Sequence, residues 1–433
     1  MIATIISGIS VFLLTILFLV TILLLVKSQL TPSGKIKITI NGEKDLEVEG
    51  GNTLLTTLSN NGIFLPSACG GGGTCIQCTC QVNSGGGGIL PTEKPHFTRK
   101  QISENYRLGC QVKVKENMEI QIPEEVFGVK EWQAKVVSNY NVATYIKEFI
   151  VEVPEDMDYK AGGYIQINVP ECEVKFSDMN IDAHPQDHPG EVNKFEKDWK
   201  EGNMALRNLV MKNDDQVVRA YSMASYPAEG RKIMLNVRIA APPFDRDKNT
   251  WSNVNPGIAS SYIFGLKEGD TVTISGPYGE FFINDSDAEM LYIGGGAGMA
   301  PMRSHLYELF KTLKTGRKVT YFYGGRSRAE LFYIHYFRDL EKEFPNFKFH
   351  LVLSDALPED NWVEKQDLDD PEGDGFVGFV HNVVIDKFLN NHESPEDIEL
   401  YFCGPPLMNQ AIIKMAEDWG IPDENVRFDD FGG

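Results

Sequence analysis

The sequence predicts a multidomain chain: an N-terminal transmembrane helix, a small α+β domain, an antiparallel β-barrel and a doubly wound α/β domain. Three observations lead to this prediction. The first 26 residues carry no charged side chain. Short apolar runs of strand length, punctuated by Gly and Pro, fill the middle of the chain. From residue 287 onward, apolar strands alternate with amphipathic helices, which is typical of a parallel sheet with helices on both faces.

Residues 1–26 are predicted to anchor the chain in a membrane. As a helix they would span about 39 Å at about 1.5 Å per residue, enough to cross a hydrocarbon layer of about 30 Å. A cleaved signal peptide is the alternative, but the segment lacks a basic n-region and a small-residue cleavage site. Lys27, Lys35 and Lys37 follow it, which favours a cytoplasmic position for the rest of the chain. Residues 27–34 then form a linker.

Composition limits the classes of partner that the chain can bind and the compartment in which it works. The chain has 61 acidic and 41 basic residues, a formal net charge of −20, which argues against nucleic acid as a partner. Its seven cysteines are too few for a disulfide framework in a chain of this length and favour a reducing compartment.

Residues 35–125 are predicted to form the small β-rich domain. The isoleucines alternate from Ile36 to Ile40 as in a half-buried strand, and Asn41-Gly42 supplies a hairpin turn. Residues 53–60 are predicted to be helical and lead into a glycine-rich loop.

Four cysteines in this domain indicate an iron–sulfur centre. Cys69, Cys75 and Cys78 lie on the glycine-rich loop and Cys110 lies far downstream, which is typical of a plant-type [2Fe–2S] site. Five residues separate the first two cysteines where the plant pattern has four, and consecutive glycines can accommodate the extra residue. Zinc is the alternative, although its cysteines usually come as two short-spaced pairs. Cys80 falls off the pattern, and we expect it to be a small core residue.

Residues 130–285 are predicted to form the barrel, with residues 171–216 as an insertion. The insertion is polar, lacks periodicity and carries His184 and His188. These histidines could bind a metal with nearby acids, but we expect a solvated surface insertion. The predicted strands are Gln133–Val137, Ile146–Val153, Tyr164–Val169, Ile233–Ile239 and Thr271–Ser275.

Two segments of the barrel region have the chemistry that a flavin requires. In Arg219-Ala220-Tyr221-Ser222, one strand offers a cation for a pyrophosphate, a ring to cover the flavin and a hydroxyl for its reactive nitrogen. The tetrapeptide alone is weak evidence for a flavin site, and its position ahead of a predicted nucleotide domain strengthens that evidence. A second phosphate site is predicted where small residues open a helix and expose N–H groups. Its candidates are Gly257, Ser260 and Ser261; an ordinary capped helix is the alternative.

Residues 287–433 are predicted to bind a dinucleotide. A glycine-rich turn follows the strand Met290–Ile293 and opens a helix, which is the context that such a turn requires. Met299 stands where a standard Rossmann fingerprint has its third glycine, so the fingerprint is not the standard one. Arg326 and Arg328 could bind a 2′-phosphate or pair with acids. The candidate residues of the turn are Gly294, Gly295, Gly296, Gly298, Met299 and Pro301.

The order of these motifs, followed by Cys403-Gly404-Pro405-Pro406, resembles the ferredoxin–NADP reductase superfamily. With a membrane segment and a ferredoxin domain in front, the whole chain resembles the electron-input subunits of sodium-translocating NADH:quinone oxidoreductases. The resemblance implies a β-grasp ferredoxin domain, an FAD-binding barrel, an NADH-binding domain and a bacterial inner membrane location. It also implies site residues. Cys69, Cys75, Cys78 and Cys110 would bind the [2Fe–2S] cluster, and Arg219, Tyr221 and Ser222 would bind FAD. Cys403, Gly404 and Pro405 would lie beside the nicotinamide, and Phe431 would stack on the flavin, with Ser222, Cys403 and Phe431 as the catalytic group.

The implied activity is hydride transfer from NADH to FAD, then single-electron transfer to the cluster and on to membrane partner subunits. The sodium path would lie in other subunits, because an uncharged helix offers none. Two alternatives stay open: the reductase component of an oxygenase, and a membrane-tethered ferredoxin carrier. The residues themselves leave NADH and NADPH equally open.

Overall fold

The computed structural model describes residues 12–22, 35–67, 69–201 and 205–430. The chain divides into two compact units, one ending at Val129 and one beginning at Lys130. Residues 12–22 form the first helix, α1. Within the described ranges, no helix is both long and apolar enough to cross a membrane. The predicted anchor lies outside the described residues over 1–11 and 23–26.

The first unit contains a five-stranded mixed sheet in the order β2-β1-β5-β3-β4. The predicted first strand is β1, whose buried residues Ile36, Ile38 and Ile40 form part of the core. Asn41 and Gly42 have positive φ values of 53° and 73°, as the predicted hairpin turn requires. The elements are β1 (Lys35–Ile40), β2 (Lys44–Glu49), α2 (Leu54–Ser59), β3 (Thr79–Ser84), α3 (Arg99–Ser103), β4 (Tyr106–Leu108) and β5 (Met118–Gln121).

A buried ion pair fixes β4. Arg107 donates to both carboxylate oxygens of Glu93, at 3.0 Å from Nε to Oε1 and 2.8 Å from Nη2 to Oε2. The backbone N–H of Leu108 donates to the same carboxylate at 2.9 Å, and Arg107 also donates to the carbonyl of Gly86. The side chains of Arg107 and Glu93 are 6% and 0% exposed. Two segments far apart in sequence are thereby held just ahead of Cys110.

The second unit begins with a six-stranded antiparallel sheet in the order β11-β8-β15-β6-β7-β12. An antiparallel bridge between Met223 and Leu235 joins its two ends and closes a barrel. The strands are β6 (Lys130–Ala143), β7 (Ile146–Glu152), β8 (Tyr164–Val169), β11 (Val217–Ser222), β12 (Lys232–Arg238) and β15 (Thr271–Tyr278). A short hairpin of β13 (Phe244–Asp245) and β14 (Thr250–Trp251) precedes α5 (Ile258–Gly265).

The insertion 171–216 differs from the solvated surface segment that the sequence predicts. It begins and ends in a ribbon of β9 (Cys172–Lys175) and β10 (Val210–Asn213), with α4 (Glu196–Lys200) between them. Phe176 and Trp199 are completely buried in the barrel core, and Trp199 stacks on Phe264 of α5 with ring centroids 5.8 Å apart. Apolar side chains scattered without period form this core contact, so no periodicity revealed it.

The rest of the second unit is the predicted doubly wound domain. Its six parallel strands lie in the order β19-β18-β17-β16-β20-β21. Helices α6 and α7 cover one face, whereas α8 and α9 cover the other. The elements are β16 (Met290–Gly295), α6 (Met299–Tyr307), β17 (Val319–Gly325), α7 (Ile334–Glu343), β18 (Phe347–Leu353), β19 (Phe376–Val377), α8 (Val380–Lys387), β20 (Glu399–Cys403), α9 (Pro406–Asp418) and β21 (Val426–Asp429).

The buried pair predicts a large effect of Glu93→Gln. This change leaves the Arg107 charge buried without its counter-ion, which costs about 3–5 kcal/mol. Amide hydrogen exchange in β3 and β4, followed by mass spectrometry, should accelerate accordingly. Glu104→Gln is the control, because Glu104 pairs with Lys100 at 3.9 Å on the surface, where a pair is worth about 0–1 kcal/mol. Equal exchange in the two variants would contradict a structural role for the buried pair.

Candidate functional site

The cysteine loop owes its shape to residues in left-handed backbone conformations. Gly70, Gly71 and Gly73 have φ values of 63°, 92° and 79°, and Ile76 has a φ of 57°. A Cβ atom on Gly73 would lie 2.8 Å from Nε2 of Gln111, the neighbour of Cys110. The extra glycine of the loop therefore allows it to pass close to the segment that carries the fourth cysteine.

The four thiols lie as two hydrogen-bonded pairs, Cys69 with Cys75 and Cys78 with Cys110. Burial opposes ionisation of Cys69, but the backbone N–H groups around it outweigh burial and lower the pKa of its thiol to about 6. The hydrogen bond from Cys78 lowers the pKa of Cys110 to about 7. Thiolates are the form that binds metal, so these hydrogen bonds favour the ligating form at one member of each pair.

This donor set fits the expected cluster. A [2Fe–2S] centre takes four thiolates, two on each iron, which suits two thiol pairs, whereas zinc needs four thiols around one ion. In the described part of the chain, no group of three or more His, Cys, Asp or Glu side chains is arranged to hold a single metal ion. Cys80 is buried, and burial raises the pKa of its thiol to about 12, as expected for a core residue.

The strand β11 carries the predicted flavin residues on the rim of the barrel. It pairs with β8 so that Arg219 lies opposite Ile167 and Tyr221 opposite Ile165. Among the described residues, no carboxylate forms an ion pair with Arg219, whose Nη1 donates only to the carbonyl of Val218 at 2.8 Å. A half-buried guanidinium without a counter-ion suits a phosphate.

The second predicted phosphate segment lies against this strand, because α5 contacts β11. Gly257 is the residue before the helix, and a Cβ atom there would lie 2.5 Å from the Cβ of Ala240. Ser260 accepts from the N–H of Ala240 and donates to Gly257, so it caps the turn. Ser261 is fully buried and its hydroxyl has no partner among the described residues. Together with Arg219, these groups fit the pyrophosphate of FAD.

The predicted dinucleotide turn packs against the end of β20. A Cβ atom on Gly298 would lie 2.1 Å from the carbonyl oxygen of Cys403, and one on Gly404 would lie 2.1 Å from Cε of Met408. At Gly298 the obstacle is backbone, so no other residue type fits there, whereas the Met408 side chain beside Gly404 is flexible. The turns after β16 and β20 therefore meet at the carboxyl edge of the sheet, which is where ligands of such sheets bind.

The remaining predicted residues of the nucleotide site lie in different structural environments. Gly294 and Gly295 end β16, and Gly296 has a φ of 55°. The side chains of Met299 and Pro301 are buried in the core beneath the edge, so neither can contact a nucleotide from its present position. Pro405 is the residue before α9. Phe431 lies outside the described residues.

A carboxylate that the sequence did not single out joins the two halves of the site. Ser222 donates to Oδ2 of Asp429 at 2.5 Å, and Asp429 lies beside Cys403 in the register of β20 and β21. Burial raises the pKa of Asp429 to about 6. Burial, with Asp429 and Asp430 nearby, also raises the pKa of Cys403, so Cys403 is a neutral thiol. The only sequence signal for Asp429 is an acid at the end of a short alternating segment.

The arginines after β17 are already paired. Arg326 donates from Nε and Nη2 to Oδ2 of Asp355, at 3.2 and 3.1 Å, and Arg328 pairs with Asp374 at 3.4 Å. The sequence had left open whether these cations are available for a 2′-phosphate. In the structure, each has an acidic neighbour.

Family models match three segments of the chain. Residues 38–115 match a 2Fe-2S iron-sulfur cluster binding domain, 202–283 an oxidoreductase FAD-binding domain and 292–414 an oxidoreductase NAD-binding domain. The predicted cofactor types, [2Fe–2S], FAD and a nicotinamide dinucleotide, are thereby confirmed.

Solved structures share the fold. The cytochrome P450 reductase GcoB of Amycolatopsis aligns with 92% of this chain and 98% of its own, at a TM-score of 0.60 and 22% identity. A ferredoxin reductase of carbazole 1,9a-dioxygenase aligns with 92% and 99%, at a TM-score of 0.57 and 20% identity.

Curated relatives match from end to end. A protein of Neisseria meningitidis serogroup C is 52% identical over 431 residues, which is 99% of this chain and 100% of the relative. One of Pseudomonas aeruginosa is 48% identical over 428 residues, 98% of each. Both are named as the same subunit of the Na(+)-translocating NADH-quinone reductase. The chain belongs to this family of Na(+)-translocating NADH-quinone reductase subunits.

Proposed function

We propose that this chain oxidises NADH as the electron-input subunit of a membrane-bound, sodium-translocating NADH:quinone oxidoreductase. The end-to-end match to the curated relatives, at about half identity, carries the proposal. The partners would be the other membrane subunits of that complex. The oxygenase reductases are similar in fold only, since their identity lies near 20%.

The proposed roles follow the positions of the residues. Cys69, Cys75, Cys78 and Cys110 would hold the cluster. When bound, FAD would accept a hydride and the cluster would carry single electrons. The proposed FAD ligands are Arg219, Tyr221, Ser222, Gly257, Ser260 and Ser261. The proposed NADH ligands are Gly294, Gly295, Gly296, Gly298, Met299, Pro301, Cys403, Gly404 and Pro405, with the main chain contributing at the buried positions. Phe431 stays a proposed stacking residue.

Hydride transfer needs alignment more than acid–base chemistry. Ser222 would orient the flavin, and Asp429 would hold the Ser222 hydroxyl through their hydrogen bond. Cys403, a neutral buried thiol at the edge, would set the nicotinamide position by contact. A nucleophilic role for Cys403 is unsupported, because burial disfavours its thiolate.

The proposal also assigns residues 1–26 as a membrane anchor and sets the limits of the three domains. Residues 1–26 would cross the inner membrane once and leave the bulk of the chain in the cytoplasm, joined by the linker 27–34. The ferredoxin domain would span 35–125, the FAD domain 130–285 and the NADH domain 287–433. Removing residues 1–26 separates the activity from the membrane. If NADH does not bleach the flavin of the truncated protein, only the ferredoxin-carrier alternative survives.

Cys75→Ala should abolish the EPR signal of the reduced cluster while NADH still bleaches the flavin, since the change removes a cluster ligand and leaves the second unit intact. Cys80→Ala is the matched control and should retain both signals, because Cys80 is buried in the core. A surviving EPR signal in Cys75→Ala, or loss of bleaching, would show that the roles are misassigned.

Asp355→Asn should raise kcat/KM for NADPH about tenfold, because one freed charge-assisted hydrogen bond at Arg326 is worth about 1.4 kcal/mol. The wild-type protein should prefer NADH. Steady-state rates with both nucleotides test this, with Asp339→Asn as a control, since Asp339 pairs with Lys342 on the surface of α7. A wild-type kcat/KM that is higher for NADPH would overturn the assignment of NADH as the preferred substrate.

Asp429→Asn should stabilise the protein above pH 6. The pKa of Asp429 is raised to about 6 from an ordinary 3.8, so the folded state binds the proton more tightly than the unfolded state. Its charge therefore costs stability above about pH 6 and nothing below about pH 4. The gain, on the order of 2 kcal/mol at pH 8, should shrink at pH 4.5.

Thermal unfolding at the two pH values measures this gain, with exposed Asp423→Asn as the control. A stability gain independent of pH would mean that the Asp429 charge is not the cause.

A further inference from the structure

The insertion 171–216 is fixed firmly to the FAD barrel. Trp199 donates from Nε1 to the carbonyl of Thr144 at 2.8 Å. Lys147 of β7 is fully buried, and its Nζ donates to the carbonyls of Asn139 in β6 and Asn180 in the insertion, at 2.8 and 2.7 Å. An element that contacts the insertion is therefore held in place relative to the barrel.

A loop of the insertion touches the nucleotide domain at the start of α7. The N–H of Tyr333 donates to Oδ1 of Asp187 at 3.4 Å, and Nδ1 of His335 lies 3.4 Å from the same oxygen. Tyr336 donates from its hydroxyl to Oε1 of Gln186 at 2.9 Å. These three contacts hold the N-terminal end of α7.

His184 ties the same loop back to the barrel. Its Nδ1 lies 2.9 Å from Oδ2 of Asp187 and its Nε2 lies 3.4 Å from Oε1 of Glu148 in β7. Tyr333 donates from its hydroxyl to Oε2 of Glu148 at 2.6 Å. His184, Glu148, Tyr333 and Asp187 therefore form a closed ring that crosses from barrel to nucleotide domain. The side chains of His184, Glu148 and Asp187 are 11%, 4% and 5% exposed.

The backbone conformation of Tyr333 indicates that this ring has a function. Its φ is 61°, a left-handed conformation that costs energy in a bulky residue and persists only where the surroundings hold it. Tyr333 is also fully buried and accepts from Nδ2 of Asn236 at 2.9 Å. The domain junction has further attachments, among them Arg303 of α6, which donates to the Glu229 carboxylate at 2.7 and 2.9 Å. The contacts of the insertion add to these attachments by holding the start of α7.

We propose that the insertion is an interdomain clasp, in which His184, Gln186 and Asp187 act as positioning residues that set the nucleotide edge against the flavin strand. The held turn of α7 follows the loop after β17, and Gly324, near the end of β17, lies beside Gly295 of the nucleotide turn. Loosening the clasp would leave NADH bound to its own domain and would misalign its nicotinamide with Ser222. The kinetic part of this inference rests on the proposed function.

The test measures flavin bleaching by rapid mixing of the full-length, FAD-loaded protein with increasing NADH. Asp187→Ala should lower the limiting rate at least about tenfold, as expected for a misplacement near 1 Å, and should leave the Kd for NADH within about twofold. Gln186→Ala should lower the rate by about two- to threefold. Amide hydrogen exchange in residues 333–337 should accelerate in both variants.

Glu173→Gln is the matched control, because Glu173 lies in the insertion and, among the described residues, pairs only with Lys212. Limiting rates within about twofold of wild type in both variants would overturn the clasp, with or without faster exchange. A raised Kd with an unchanged limiting rate would also overturn it, since the contacts would then serve affinity.

If Asp187→Ala loses FAD, the limiting bleaching rate of Gln186→Ala decides whether the clasp exists. The side chain of Gln186 is exposed and can be removed without unfolding the protein. If NADH fails to bleach even the wild-type flavin, the proposed function fails. The exchange measurement alone then decides whether the insertion holds α7.

Discussion

The contact between the glycine turn after β16 and the end of β20 is the constraint on which the rest of the site depends. Backbone meets backbone there so closely that a single methyl group on Gly298 would overlap the carbonyl of Cys403. This contact fixes Cys403, and the strand register then fixes Asp429 beside it. Through its hydrogen bond to Ser222, Asp429 connects the nucleotide sheet to the barrel. One steric constraint thus aligns three side chains from three strands.

Charged groups and a shared apolar cluster hold the junction between barrel and nucleotide domain, since Val142, Ile146 and Met234 of the barrel pack in one core with side chains of the nucleotide domain. Arg303 with Glu229 is an ion pair across that junction, and His184 lies 3.4 Å from Glu148 on the barrel side of it. Such pairs contribute little net stability, since desolvation offsets much of their attraction, but they tolerate few alternative geometries. For hydride transfer, which depends on the relative placement of two rings, defined geometry matters more than stability.

The regular elements could be predicted from the sequence because their signal is local. Strand β8 begins and ends at the predicted residues, and the glycine turn opens α6 as its pattern indicates. The cysteine spacing likewise identified the cluster domain. Asp429, Glu93 and the burial of Trp199 could not be predicted. Each depends on a partner far away in the sequence, as Asp429 depends on Ser222, and such pairings leave no periodic or compositional trace.

The way in which the insertion leaves the barrel has an evolutionary consequence. Strands β8 and β11 are antiparallel neighbours, with Val169 opposite Val217, and the ribbon of β9 and β10 continues outward with Cys172 opposite Asn213. Both ends of the insertion therefore lie side by side, so lengthening or shortening it costs little loop-closure entropy. A lineage could rebuild this whole segment, and with it the grip on α7, without displacing Arg219 or Ser222. Control of domain orientation can thus diverge while the flavin strand stays unchanged.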